Sequence, residues 1–172
     1  LVLKLLKRAS AVIHFAAETH VDRSIESADD FLKTNILGTA ALLEASLACG
    51  TKRFVHMSTD EVYGSVTKGY ADEKAPLLPN SPYSASKAGA DLLVRSFQET
   101  FKHPAMIVRC TNNFGPYHDP EKLIPRFITN LLEGKKVPLM GKGENIREWL
   151  NVLDHASAID FILQKGKIGQ TY

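Results

Sequence analysis

"TKRFVHMSTDEVYG", residues 51–64, decides the fold. Phe54, Val55 and Met57 sit in a short run without strict polar alternation, "KRFVHMS" (52–58). Such a run suits a strand buried on both faces, as in a parallel sheet. It ends in a cluster of Ser58, Thr59, Asp60 and Glu61. A strand entering a turn needs one polar residue or a glycine. Two hydroxyls and two acids in sequence ask for a further explanation.

The flanking segments repeat the pattern. "SAVIHFAA" (10–17) is a second short apolar run, and "AMIVRCT" (105–111) a third. Between the first two lies "SADDFLKTNILGTAALLEASLACG" (27–50), whose Phe31, Leu32, Ile36, Leu42, Leu43 and Leu47 recur at helical spacing. Ser27 or Asp29 is placed to cap it and Gly50 to end it. After a loop rich in Pro, Gly and charge (66–82), "YSASKAGADLLVRSFQETF" (83–101) predicts a long helix. The rest predicts a helix over 123–135, a strand over 146–153 and a helix over 154–166. The opening reads as the last turns of a helix and "KIGQTY" as the start of a strand. Strands alternating with helices imply an α/β fold, a parallel sheet with helices on both faces. Ligands bind such sheets beyond the carboxyl ends of the strands. Those ends here are "AAETH", "STDE" and "CTNN".

Composition excludes several classes. The 172 residues are 44% apolar and 23% charged, with a formal charge of +2. That is ordinary for a globular chain and gives no strong pull toward nucleic acid or membrane surface. No apolar run approaches the roughly 20 residues of a membrane span. The two cysteines, Cys49 and Cys110, form no CxxC pair, and no histidine has metal-ligand spacing. A cytoplasmic protein without a metal is expected.

Tyr83 and Lys87, four apart in "YSASK", share one helix face. A free phenol titrates near 10, too high for a base at neutral pH. A nearby ammonium lowers it, and a phenol so tuned takes a proton from a sugar hydroxyl while a hydride leaves the same carbon. A plain surface pair four residues apart is the alternative, and YxxxK by itself occurs often by chance. Adjacent acids after a strand are, by themselves, ordinary turn residues.

The arrangement resembles the short-chain dehydrogenase/reductase superfamily in its extended, nucleotide-sugar branch. Within the branch it is similar to the dTDP-glucose 4,6-dehydratases. The likeness runs through "HFAAETHVDRSI", "TNILGTAALLEA", "STDEVYG", "SPYSASKAGADLLV", "TNNFGPYHDPEKLIP" and "GENIREWLNVLDHA". It implies a Rossmann-like fold and NAD as cofactor. C4 of a glucose is oxidised with Tyr83 accepting the hydroxyl proton, assisted by Lys87 and by Thr59 or Ser58. Water then leaves across C5 and C6, with Glu61 as the base and Asp60 as the acid. The net reaction is that of a lyase, and two such acids need separated pKa values. Epimerase-like members usually carry small or hydroxyl residues where Asp60 stands. Decarboxylase-like members tend to lack it.

The resemblance also implies binding residues. NAD lies along Phe15, Ala16, Ala17 and Thr19, with Thr34, Tyr83, Lys87 and Asn113. The nucleotide sugar takes Thr19, Thr59 and Asn112. Lys122, Leu123 and Arg147 suit its diphosphate, at a helix start and through a guanidinium fork. Pro138, Leu139 and Met140 match the segment that holds the base. His20 is read equally as a sugar contact or a structural residue. Asn35 is read as a backbone clamp, and Asp22 with Arg23 as a local ion pair. Trp149 and His155 are read as packing and helix-start residues.

The chain has eleven glycines, yet no GxGxxG turn. The family carries that turn on its first strands. The chain is therefore expected to be a piece of a longer enzyme, incomplete at both ends. Residues 1–118 would be a partial NAD-binding domain with the catalytic residues, and 119–172 part of a nucleotide-sugar-binding region. Relatives pair through the two long helices, so a homodimer is expected of the full-length protein. A truncated, inactive interaction module is the reading from another class.

Overall fold

The computed structural model describes residues 1–139 and 141–172. Three strands, β1 (Ala11–His14), β2 (Arg53–Thr59) and β3 (Ala105–Cys110), form a parallel sheet in the order β1-β2-β3. Alternation along β2 and β3 sends side chains to opposite faces. Val55, Met57, Met106 and Val108 pack with Ile159 and Ile162 on one face. Phe54, Ala105 and Ile107 pack with Leu43 and Val94 on the other. Helices thus cover both faces, as the apolar runs predict: α7 (Val152–Lys165) on one, and α4 (Gly38–Cys49) with α5 (Pro82–Phe101) on the other.

Contacts divide the chain into two units. One holds Leu1–Cys110 with Ile159–Tyr172, the other Thr111–Ala158. The division falls earlier than the expected boundary at 118, and the last residues return to the first unit. They do so because Thr171 bridges Ile107 in parallel, with the Ile107 amide bonded to the Gln170 carbonyl and the Tyr172 amide to the Ile107 carbonyl. "KIGQTY" thus runs along the outer edge of β3. In the second unit β4 (Asn112–Phe114) and β5 (Trp149–Asn151) pair in parallel beside α6 (Leu123–Leu132).

Several boundaries move. The strand expected over 146–153 keeps only Trp149–Asn151, since Asn151 Oδ1 accepts the Leu153 amide at 2.9 Å and starts α7 there. The helix expected over 27–50 is a composite: α3 (Asp29–Phe31), a π-turn (Leu32–Leu37) and α4. Its first turn has Ala28 at the cap without a side-chain bond, so neither Ser27 nor Asp29 caps it. Gly50 ends α4 in the left-handed region (φ 64°), as expected. An additional short helix, α2 (Val21–Glu26), contains Asp22 and Arg23. The opening helix, α1, covers Val2–Leu6. No helix among the described residues is long and apolar enough to cross a membrane.

Candidate active site

β2 delivers Thr59 at its end, 7% exposed, directly into a 3₁₀ turn, Asp60–Tyr63. Thr59 caps that turn by accepting the Glu61 amide at 3.2 Å. Its hydroxyl also donates to Asp60 Oδ1 at 3.2 Å. The turn is held from inside by Val62, fully buried, and by the Leu78 amide on the Val62 carbonyl at 2.9 Å. Gly64 follows with φ 74°, and a Cβ there would meet the Leu78 carbonyl oxygen. The hydroxyl and the two acids are therefore parts of one fixed strand end.

α5 brings the phenol and the ammonium. Ser81 and Ser84 form a reciprocal capping box around Pro82, which fixes where the helix begins. Tyr83 is 8% exposed and Lys87 4%. The Tyr83 amide donates to Ser24 Oγ at 3.1 Å, and its ring lies edge-on to Phe31. Burial first, then the Glu61 carboxylate, raises the Tyr83 pKa, while a hydrogen bond with Thr59 pulls the other way. Lys87 Nζ donates to the Met57 carbonyl at 2.6 Å. Burial lowers the Lys87 pKa against the opposing charge of Asp91. The expected lowering of the phenol by Lys87 is thus corrected: in this structure burial and Glu61 dominate and the shift is upward.

Asn35, in the π-turn, clamps the "AAETH" loop to α5. Its Oδ1 accepts the Glu18 amide at 2.9 Å. Its Nδ2 donates to the Glu18 carbonyl at 3.0 Å and to Ser86 Oγ at 2.8 Å. The structural reading of Asn35 from sequence holds. Phe15 and Ala16 follow β1 and are exposed, Ala17 is half-buried and Thr19 exposed. Thr34 is half-buried in the π-turn. Small residues beyond a parallel strand, beside an exposed aromatic ring, leave the backbone open to a flat dinucleotide. Such an opening fits a bound dinucleotide, whereas a glycine turn for its pyrophosphate is not among these 172 residues.

The remaining expected residues lie in the second unit. Asn112 and Asn113 are in β4. Asn113 Nδ2 donates to the Thr111 carbonyl at 3.1 Å, and its Oδ1 pairs with His155 Nδ1 at 2.8 Å. His155 is 8% exposed at the start of α7, in line with its packing role. Lys122 is the N-cap of α6 and Leu123 its first residue. Arg147 is exposed and donates to the Ile146 carbonyl at 3.0 Å. Pro138 and Leu139 are exposed coil, and Met140 lies outside the described residues. No cluster of three metal-ligating side chains occurs among the described residues.

Sequence reasoning missed Ser24, which holds the Tyr83 main chain, and the Asp91–Arg109 ion pair behind the site, at 2.9 Å. Asp91 stands four after Lys87 on one helix, a spacing that could have flagged it. Ser24 carries no such signal.

Comparison with known proteins agrees with this geometry. The dTDP-glucose 4,6-dehydratase of Streptomyces antibioticus is 54% identical over the whole chain, which covers 51% of that protein. DesIV, a dTDP-glucose 4,6-dehydratase from Streptomyces venezuelae crystallised with NAD and a further ligand bound, superposes with a TM-score of 0.95. It is 50% identical, over 99% of this chain and 54% of its own. UDP-glucuronic acid 4-epimerase from Bacillus cereus, in complex with UDP-glucuronic acid and NAD, is 29% identical. Its TM-score is 0.91 over 99% of this chain and 55% of its own. The chain spans about half the length of the curated relatives it matches. The family model described as GDP-mannose 4,6 dehydratase matches residues 2–172. With this match over nearly its whole length, and with the strand-end acids and YxxxK helix in place, the chain belongs to the GDP-mannose 4,6 dehydratase family.

Proposed function

We propose that the full-length protein dehydrates dTDP-glucose to dTDP-4-keto-6-deoxyglucose, acting as a hydro-lyase in deoxysugar synthesis. The observation that carries this reading is the β2 end. Thr59 is bonded to Asp60, caps Glu61 and is hydrogen-bonded to Tyr83. The Asp60 carboxylate, the Glu61 main chain and the phenol therefore meet at one hydroxyl.

The roles follow from position. Bound NAD+ would supply a transient store for one hydride. Tyr83 takes the proton of the C4 hydroxyl, with Thr59 passing a hydrogen bond between phenol and sugar. Lys87 holds the strand end through the Met57 carbonyl. Once C4 is a ketone, the C5 proton is acidic, and Glu61 removes it. Asp60 protonates the departing C6 oxygen, oriented by its Thr59 contact, and Glu61 gives a proton to C5 as the stored hydride would return to C6. An epimerase has no use for Asp60 as an acid, so its presence favours elimination.

Phe15, Ala16, Ala17, Thr19, Thr34 and Asn113 are assigned to the cofactor. Asn112 and Thr19 are assigned to the sugar. Lys122, Leu123 and Arg147 are assigned to the diphosphate, and Pro138, Leu139 and Met140 to the base. Within this assignment the first unit serves as the cofactor-binding and catalytic part, and the second contributes to the nucleotide-sugar-binding region. We also assign the protein to the cytoplasm, in keeping with two free cysteines and a soluble nucleotide-sugar substrate. A homodimer is supported by Leu37, Leu47 and Leu92, exposed on the segments of the long helices. The test is direct. Full-length protein with dTDP-glucose should yield a product lighter by one water. No such product, alongside turnover of a UDP-sugar, refutes the reading.

A further inference from the structure

Arg109 has no part in the chemistry above, yet its side chain is only 9% exposed. Its Nε donates to Asp91 Oδ2 at 2.9 Å. Its Nη1 donates to the Tyr63 hydroxyl oxygen at 2.8 Å and to the Glu73 carbonyl oxygen at 3.3 Å. The guanidinium also lies over the Tyr63 ring, 5.0 Å from its centroid. One side chain thus joins three segments distant in sequence. Asp91 is on α5, one turn beyond Lys87, 1% exposed, and its other oxygen faces His56 Nε2 at 3.4 Å. Tyr63 is the last residue of the turn that carries Asp60 and Glu61. Glu73 belongs to the loop that follows.

A four-residue 3₁₀ turn has poor hydrogen bonds of its own and depends on outside anchors. Val62 and the Thr59 cap hold its earlier residues, and Tyr63, its last, takes its side-chain anchor from Arg109. A guanidinium fork bonded to a buried carboxylate fixes direction as well as distance. An apolar pair of equal volume would stabilise the fold as well as or better than this buried ion pair. What it could not do is hold the Tyr63 hydroxyl at a set angle. Tyr83 is anchored separately, through Ser24. Rotation of the turn therefore displaces the acids and leaves the phenol where it is.

We propose that Arg109 is a positioning residue for the elimination step, locking the acid-bearing turn to the helix that carries Tyr83 and Lys87. The inference rests on the dehydratase reading and adds a means of keeping two acids in register with the phenol.

The test uses full-length protein loaded with NAD+ and a single turnover of dTDP-glucose. The rise of reduced-nicotinamide absorbance reports oxidation at C4, and its decay waits on loss of water. Arg109→Met strips Asp91 of its counter-ion and is expected to fold badly. Tyr63→Phe removes one hydroxyl and keeps the ring beneath the guanidinium, so it decides the matter. It should leave the rise unchanged and slow the decay about 3- to 10-fold, as the loss of one hydrogen bond gives. Amide exchange over residues 61–64 should quicken while that of α5 stays as it was. Arg109→Lys should show the same split more strongly, because an ammonium cannot serve Asp91 and Tyr63 together. An unchanged decay, or equal slowing of rise and decay, overturns the proposal. A wild-type protein that forms no reduced nicotinamide refutes the dehydratase reading instead. Amide exchange in Tyr63→Phe then still decides whether the brace exists.

Discussion

Lys87 Nζ donates to the Met57 carbonyl oxygen at 2.6 Å, which ties the catalytic helix to the strand that ends in Thr59. The ammonium is thereby committed to the main chain just before the hydroxyl and the two acids. Burial, then Glu61, set the phenol.

Tyr83→Phe should abolish oxidation at C4. The hydroxyl proton then has no acceptor, and general-base catalysis contributes typically 10²- to 10⁴-fold. Fold stability should change little, because the ring against Phe31 and the Ser24 bond to the Tyr83 amide both remain. Reduced-nicotinamide absorbance after mixing with dTDP-glucose, alongside thermal unfolding, checks both parts.

Asp60→Asn should leave that oxidation largely intact and slow loss of water by about 10²-fold or more. The amide keeps a hydrogen-bonding partner for Thr59 and loses the proton to give. Reduced nicotinamide should accumulate instead of passing through. If elimination keeps its wild-type rate, the acid is another group.

Gly64→Ala should destabilise the protein by at least about 2 kcal/mol. The position has φ 74°, and the new Cβ would press on the Leu78 carbonyl oxygen, the same loop segment that anchors Val62. Gly69→Ala, where φ is 77° but space is open, should cost less. Urea unfolding of the two variants gives the comparison.

His14 provides a pH signature. It is buried against Thr39 Oγ1 at 2.9 Å, and burial, then His56 and Lys87, lower its pKa from 6.5 to about 3. The unfolded chain binds a proton below 6.5 that the folded chain refuses until about 3. Stability is therefore full above 6.5 and falls as pH drops through that window. His56, lowered by burial first, contributes in the same direction. His14→Gln should flatten the fall in urea midpoint between these limits.

Local signals made much of this legible. The largely apolar runs of β2 and β3, buried on both faces, the helix over α5 and the "STDE" and "YSASK" motifs all survive in the structure. Missed features depend on contacts between distant segments. The π-turn at Leu32–Leu37 looks like helix in any periodicity, yet it carries the Asn35 clamp. Arg109 reads as a polar interruption of an apolar strand until Asp91 and Tyr63 are brought to it. The short α2 has too few apolar residues to announce itself, though it supplies Ser24 to Tyr83.

The central claim is that the two acids beside Thr59 and the Tyr83 phenol act on a single hexose. Turnover of dTDP-glucose by the full-length protein in D₂O, followed by NMR of the product, tests it most directly. The account predicts a 4-keto sugar with a methyl group at C6 and one deuterium at C5, and no such deuterium when Glu61 is replaced by Gln. A product that keeps its C6 hydroxyl, or a methyl sugar with the original proton at C5, would contradict it.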